Sequence, residues 1–399
     1  MKQERSTFIK GILVGIIVIV WGHTVVSGGM VFYRRHFEQE IPVAEKIELI
    51  VSILEDRFIG DLDHQAMQDA MFSGLLDGVG DIYTSYMTAY EFRRFRELSA
   101  GTFVGIGAVV SRTEDGSVLI VSPYRGSPAY NAGILPGDRI LEVNGEDITA
   151  NDLVITIGMI QGEEGTPVNL TIYREMENRT FEIEIIRAVI EIPTVHYEML
   201  ENNIGYVHLS GFDRVTYGQF VSAYENLASQ GMEGLILDLR NNPGGMLDVV
   251  VNITSRLVPE GAILYIQDST GNRRARYSTP GEIEIPLVIL INGHSASASE
   301  VLAGAAVDHG VARLVGQQSF GKGSVQDIVP LPDGSALRIT IATYYTPNGT
   351  AIDGYGLTPT YIVEIEDYQS ARIHQIAFEY DIQLQKAIEV IEGWVAETE

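Results

Sequence analysis

Gly234-Leu235-Ile236-Leu237-Asp238-Leu239-Arg240-Asn241-Asn242-Pro243-Gly244-Gly245 joins an apolar run directly to a polar, glycine-rich loop. The run from Gly234 to Leu239 reads as a buried strand, and Met246 to Leu257 follows it as a helix. The same order recurs on both sides. Ile204 to Ser210 is a strand followed by a helix from Tyr217 to Ala228 that Gly231 ends, and Pro286 to Ile291 is a strand followed by a helix from Ser299 to Val307. Strand, loop and helix repeated from about Ile190 to Val363 predict an α/β core with a mostly parallel sheet. Ligands bind such sheets at the carboxyl ends of their strands. The loop Arg240–Gly245 falls at one such end, and Ser295-Ala296-Ser297-Ala298-Ser299-Glu300 falls at another.

Upstream of this core the chain changes character three times. Lys2, Arg5 and Lys10 precede an apolar run from Gly11 to Tyr33. About 20 apolar residues in helical form span a hydrocarbon core, and the basic flank places the N-terminus inside. Residues 1–36 are therefore read as a single-pass membrane anchor, with the rest of the chain outside the cytoplasm. A cleaved signal segment is the rival, which would leave a secreted protein, although Val26-Ser27-Gly28 is a poor cleavage site. Residues 37–100 read as helical, with Ile47, Ile50, Val51 and Leu54 on one face, Gln65 to Leu76 as a second helix, and Asp81 to Tyr86 as a connector to a third.

From Gly101 to Arg187 the pattern is one of short strands and tight turns. Phe103 to Val110 and Val118 to Ser122 are strands, and Ser127-Pro128 starts a one-turn helix. Pro136-Gly137-Asp138 is a turn, Asn144-Gly145 a hairpin, Asp152 to Gln161 a helix, and Val168 to Tyr173 and Thr180 to Ile186 close the sheet. The region 101–188 resembles a PDZ domain of the kind found in bacterial peptidases. The resemblance puts Gly105, Ile106 and Gly107 in the peptide-carboxylate loop, where two glycines let consecutive N–H groups turn toward one anion. An extended peptide would add to the strand beyond them.

Composition excludes several classes. The 399 residues carry 53 Asp and Glu against 27 Lys and Arg, a net charge of −26, which argues against a nucleic-acid binder. There are no cysteines, hence no disulfide, no thiol catalysis and no zinc site built on Cys. The eight histidines include no H-E-x-x-H, so a zincin is not indicated.

Ser297-Ala298-Ser299-Glu300 fits a capping box, which needs no further role. A nucleophile at a helix start nevertheless gains an oxyanion donor from the following amide, Ala298, and a favourable helix dipole. Gly244 and Gly245 offer a second donor. His309, after Asp308, lies twelve residues beyond Ser297 on the same helix, roughly 18 Å away at 1.5 Å per residue. Lys322 is the better base if burial disfavours its charged form. Gly321 and Gly323 let its backbone pack closely, and Gln326 is placed to orient the amine. These considerations leave Ser295, Ser297 and Ser299 all open as nucleophile.

Asn292-Gly293-His294-Ser295-Ala296-Ser297-Ala298-Ser299-Glu300 and Phe320-Gly321-Lys322-Gly323-Ser324-Val325-Gln326 together resemble the carboxyl-terminal processing peptidases, serine peptidases with a Ser–Lys dyad and an inserted PDZ domain. The likeness includes Asp238 to Gly245 and Gly354-Tyr355-Gly356-Leu357-Thr358-Pro359, and ends in Gln383 to Ile388. It departs at His294, Ile82 and Thr360. The resemblance implies a crotonase/Clp-protease-like β/α spiral for residues 189–365 and a helical segment for 366–399. It also implies Ser297 as nucleophile, Lys322 as base, Gln326 as its partner, and Ala298 with Gly244 as oxyanion donors. Substrates would be proteins or peptides engaged by their C-termini, no metal or organic cofactor is required, and the helical ends would form a homodimer. Two other readings are a PDZ scaffold with a silent core, and a penicillin-binding acyltransferase, since Ser319-Phe320-Gly321-Lys322 formally matches S-x-x-K.

Overall fold

The computed structural model describes residues 41–279, 285–370 and 372–398, and the chain divides into two units, Met1–Met71 and Phe72–Glu399. The apolar run 11–33 lies outside the described residues. Among the described helices none is long and apolar enough to cross a membrane. The first unit holds α1 (Val43–Arg57), which begins after Pro42 as the fixed φ of proline favours. Next comes α2 (His64–Asp77), which extends across the boundary at Met71.

In the second unit the connector expected from Asp81 to Tyr86 ends as a strand, β1 (Ser85–Met87). The reason is tertiary: β1 pairs with a strand some 250 positions away, Ser85 opposite Arg338. Helix α3 (Ala89–Ala100) is started by a capping box in which Glu91 N–H donates to Thr88 Oγ1 at 3.2 Å and Thr88 N–H to the Glu91 carboxylate at 2.8 Å. It stops at Gly101, whose left-handed φ of 66° few other residues adopt.

The strands β2 (Thr102–Gly105), β3 (Ala108–Arg112) and β4 (Val118–Pro123) follow, then the single turn α4 (Pro128–Asn131). Next are β5 (Arg139–Val143), β6 (Glu146–Asp147), α5 (Leu153–Ile160), β7 (Pro167–Arg174), β8 (Arg179–Ile186) and β9 (Ala188–Glu191). One sheet runs β3-β4-β5-β7-β8 with β6 on β5, and β2 pairs separately with β9. Alternation along β4, β5 and β7 sends Val118, Ile120, Ile140, Val143, Val168, Leu170 and Ile172 into one core. Asn144 and Gly145, at φ 53° and 79°, make the expected hairpin turn.

The remaining elements are β10 (Val195–Met199), β11 (Ile204–Leu209), α6 (Thr216–Ser229), β12 (Gly234–Asp238), α7 (Leu247–Leu257), β13 (Ala262–Asp268) and β14 (Arg273–Tyr277). After them come β15 (Leu287–Ile291), α8 (Ala298–Asp308), β16 (Ala312–Gly316), β17 (Ser324–Pro330), β18 (Ala336–Tyr345), β19 (Tyr361–Ile362), α9 (Asp367–Ser370) and α10 (Ile382–Thr398). The central sheet has the order β10-β11-β12-β15-β16-β19 and is parallel except for β10 against β11. Its inner strands are apolar on both faces because both are covered. Leu235 and Leu237 face α7 and α8, while Ile236 packs with Leu384, Ala387 and Ile391 of α10. Each such side chain contributes about 1.5–3 kcal/mol when fully buried.

A second, antiparallel sheet, β1-β18-β13-β14 with β17 on β18, is absent from the sequence reading. Its strands carry mixed polar and apolar residues and pair over long separations, so no local period announces them.

Candidate active site

Strands β12, β15 and β16 are consecutive neighbours in the parallel sheet, and the three informative loops leave their carboxyl ends. That order brings Gly244, Ser297 and Lys322 to one edge. A Cβ on Gly244 would lie 2.9 Å from Ser297 Cβ and 3.0 Å from the Ala298 nitrogen, so only glycine fits there.

The serine cluster sorts itself by hydrogen bonding. Ser295 is fully buried and donates to Leu239 O at 2.8 Å, and Ser299, also fully buried, donates to Asn242 O at 2.9 Å. Both hydroxyl groups staple the serine turn to the neighbouring Leu239–Asn242 segment. Ser297 alone of the three is partly exposed. It adopts φ 55°, ψ −111°, a conformation that costs a non-glycine residue about 1–3 kcal/mol. Its hydroxyl lies near enough to the phenol of Tyr344 on β18 to act on that group's ionisation. Burial pushes that phenol up to about 12, with Ser297 acting in the opposite direction.

Glu300 joins the serine turn to the lysine loop. Its buried carboxylate accepts from Ser297 N–H at 2.8 Å and Lys322 N–H at 2.9 Å through Oε2. Through Oε1 it accepts from Ser319 Oγ at 2.6 Å and Gly321 N–H at 2.7 Å. Four donors on one carboxylate compensate its burial. The capping box is present in its Glu300 half, and that same side chain carries a second task invisible to local sequence.

The lysine loop is tight. Gly321 has φ 87° and packs against the backbone of Tyr355 and Gly356, and a Cβ on Gly323 would lie 2.3 Å from Asp353 N. Gly354 N–H donates to Gly321 O at 2.9 Å, so the Gly354–Leu357 stretch is the surface the loop rests on. Ser319 is not on a helical turn with Lys322. It is buried, donates to Glu300 and accepts Leu357 N–H at 2.7 Å. The S-x-x-K reading therefore lacks its geometry.

Lys322 Nζ lies 4.6 Å from the centre of the Tyr83 ring. Burial first, and the Arg338 charge second, hold its pKa below the ordinary lysine value. Tyr83 itself is positioned by Arg338 Nε–H donating to its carbonyl at 3.0 Å. Among the described residues no hydrogen bond joins Lys322 to Ser297 or to Gln326. The Gln326 amide donates instead to Ser324 Oγ at 2.9 Å and Thr340 Oγ1 at 3.4 Å, because β17 and β18 bring those hydroxyls closer.

The expected oxyanion donors fare differently. Ala298 N–H has no protein partner among the described residues. Gly244 N–H is already donated to Asn242 Oδ1 at 2.9 Å, an Asx turn in which the side chain reaches its own backbone two residues on. The amide left without a partner in this pair is that of Gly245, whose φ of 149° and contact with Phe212 O only glycine permits.

Beneath the loops, Arg240 is fully buried and forms a network no spacing foretold. It bonds Asp238 at 2.6 Å and Asp381 at 2.8 Å, and Gln383 at 3.1 Å, tying β12 to the start of α10. Burial alone would raise the Asp238 carboxyl, but Arg240 outweighs it and holds the group down at about 2.

In the smaller sheet, Gly105, Ile106 and Gly107 are all buried, and Gly107 has φ 77°. Their carbonyls are anchored: Ile106 O accepts Ala129 N–H at 2.8 Å, and Gly107 O accepts Ser127 Oγ at 2.8 Å. The amides of Ile106 and Gly107 have no partner among the described residues. The sequence reading has Tyr83 only as part of a connector and does not single out Tyr344 or Arg338, since they belong to β1's neighbourhood and to the unforeseen second sheet.

Residues 203–363 match the family described as Peptidase family S41, and residues 119–174 match a PDZ domain. The chain is 34% identical to the Carboxy-terminal-processing protease of Bartonella bacilliformis, covering 91% of this chain and 83% of that one. It is also 34% identical to Carboxy-terminal processing protease CtpB of Bacillus subtilis, over 82% of this chain and 69% of that one. Among solved structures, a photosystem II D1 C-terminal processing protease aligns over 80% of this chain and 86% of its own, with 29% identity and a TM-score of 0.47.

Proposed function

The chain belongs to peptidase family S41 as a serine-type carboxy-terminal processing peptidase, and from that premise we propose that Ser297 is its nucleophile and Lys322 its general base. The observation that carries this is the carboxylate of Glu300, which holds the backbone amides of Ser297 and Lys322 on one oxygen at 2.8 and 2.9 Å. The two side chains thus start from adjoining points, well within the reach of a four-carbon amine.

The Lys322 amine rests over the Tyr83 ring, where burial and then the Arg338 charge favour its neutral form. For catalysis the neutral amine turns to Ser297 and takes its proton as Oγ attacks the scissile carbonyl carbon. Ala298 N–H receives the oxyanion, with the second donor from the Gly244–Gly245 pair. Since Asn242 holds the Gly244 amide, that donor is Gly245. Collapse breaks the C–N bond, and the lysine ammonium returns the proton to the leaving amine. Water then attacks the acyl-enzyme with the lysine again as base, and Ser297 is restored. Gln326, donating to the Ser324 and Thr340 hydroxyls, acts by fixing the start of β17 just after Lys322.

The free amides of Ile106 and Gly107 suit the terminal carboxylate of a substrate chain, so the PDZ domain holds the C-terminus while the core cleaves. The basic flank and apolar run at residues 2–33 support an anchor with the peptidase outside the cytoplasm. The test is cleavage of an unfolded reporter protein: Ser297→Ala and Lys322→Ala should both lose it while keeping the melting curve of the parent. Cleavage retained by Lys322→Ala would sink the dyad.

A further inference from the structure

A groove of about 1050 Å³ lies where β2, α5 and α3 meet. Thr102, Phe103 and Val104 form one side. The strand they belong to enters the Gly105–Gly107 loop from the end opposite to the strand a peptide would join, so the groove adjoins that loop on its entry side. Val154 and Ile157 of α5 make the apolar opposite side. The third wall lies outside the PDZ sheet: Arg93, Arg94 and Arg96 of α3, with Arg214 from the loop before α6. Arg94 is paired with Glu97 at 3.2 Å. Arg93, Arg96 and Arg214 pair with no carboxylate among the described residues.

This wall is built rather than incidental. Arg214 N–H donates to Ser99 O at 3.3 Å, joining the loop to the last turn of α3. A Cβ on Gly101 would lie 2.7 Å from Val215, so the helix end and the loop are in direct contact. The lining carries four arginines against Glu97 and Glu163, a net charge of +2. In a chain of net charge −26 that is a local reversal of sign. A terminal carboxylate supplies one negative charge, which leaves the wall under-neutralised.

We propose that the arginine wall of α3 and Arg214 selects substrate C-termini that carry an aspartate or glutamate beside an apolar last residue. The inference rests on the reading that the PDZ loop takes a free C-terminus. An acidic protein repels acidic tails at long range, and the exposed guanidinium groups reverse that locally, raising both encounter rate and residence.

The test uses the full chain carrying Ser297→Ala and fluorescent ten-residue peptides that share an apolar last residue. They carry glutamate, glutamine or lysine at the two preceding positions, and a C-terminally amidated glutamate peptide completes the set. Affinity should fall from glutamate to glutamine to lysine by about threefold per charge, and the differences should shrink in high salt. Arg93→Gln with Arg96→Gln should flatten the series, and Arg93→Lys with Arg96→Lys should restore it. Equal affinity for the glutamate and glutamine peptides overturns the inference while leaving C-terminal capture intact. Amidated and free peptides binding alike, or no peptide binding, overturns C-terminal capture and this inference with it. If the glutamine variant fails to fold, the peptide series on the unaltered wall decides alone.

Discussion

Around Ser297 most buried polar side chains have a protein partner, whereas along the groove beside α3 the exposed Arg93, Arg96 and Arg214 pair with no carboxylate among the described residues. Ser295, Ser299, Ser319 and Glu300 are buried and fully bonded, so the serine turn is fixed before any substrate arrives. The amides of Ala298 and Gly245 have no partner among the described residues, as the proposed oxyanion role requires. The groove is the reverse: exposed cations on a helix face, adjustable and screened by salt. On the proposed reading, one region is pre-organised to act on a bond common to all proteins, and the other is left under-neutralised to discriminate among chains.

The largest effects should come from the fixed region. Ser297→Ala and Lys322→Ala should each lower turnover by at least about a thousandfold, as removal of one member of a nucleophile–base pair does. Glu300→Gln keeps the shape but turns an amide group toward donors, and a carboxamide cannot accept all four bonds. It should lower kcat by about a hundredfold through misplacement of Ser297 and Lys322, with KM little changed. A change in KM alone would make Glu300 a binding residue and break the contrast between the two regions.

Arg240→Met tests the scaffold under both. It leaves Asp238 and Asp381 buried without their cation and should destabilise the protein by about 3–5 kcal/mol, read by denaturant melting. An unchanged midpoint would mean that α10 is not held through this network.

The pH profile sharpens the fixed region further. As the proposed base Lys322 would act when neutral, so kcat/KM should rise with pH, with a midpoint below the ordinary 10.5 because burial and then Arg338 disfavour the ammonium form. Arg338→Gln removes the second of these causes and should move the midpoint upward. A downward shift would assign the profile to another group. The smallest effects belong to the groove, where the arginine substitutions should alter peptide preference by a few-fold without touching the profile.

Much of this was legible in sequence. Apolar runs at Gly234–Leu239 and Pro286–Ile291 announce buried parallel strands because both faces must be covered, and turn residues such as Asn144-Gly145 carry their own conformational demand. Family spacing pointed to Ser297 among three serines, and the hydrogen bonds of Ser295 and Ser299 supply a physical reason for setting those two aside. The hydroxyl of Tyr344, the Tyr83 ring over Lys322 and the diversion of the Gly244 amide to Asn242 were not legible. Each depends on pairings between segments far apart in the chain or on a side chain choosing among near-equal partners.

The sequence by itself determined the two kinds of sheet, the helix starts, and the set of residues from which the chemistry is drawn, since periodicity, caps and glycine positions are local constraints. Only the tertiary structure decided which of those residues meet. The adjacency of β12, β15 and β16 gathers three loops at one edge. The long-range pairing of β1 with β18 brings Tyr83 to the lysine. The packing of α3 against the Arg214 loop turns an ordinary charged helix into one wall of a groove. Proximity between distant segments is set by the energy of the whole fold, and no window of sequence contains it.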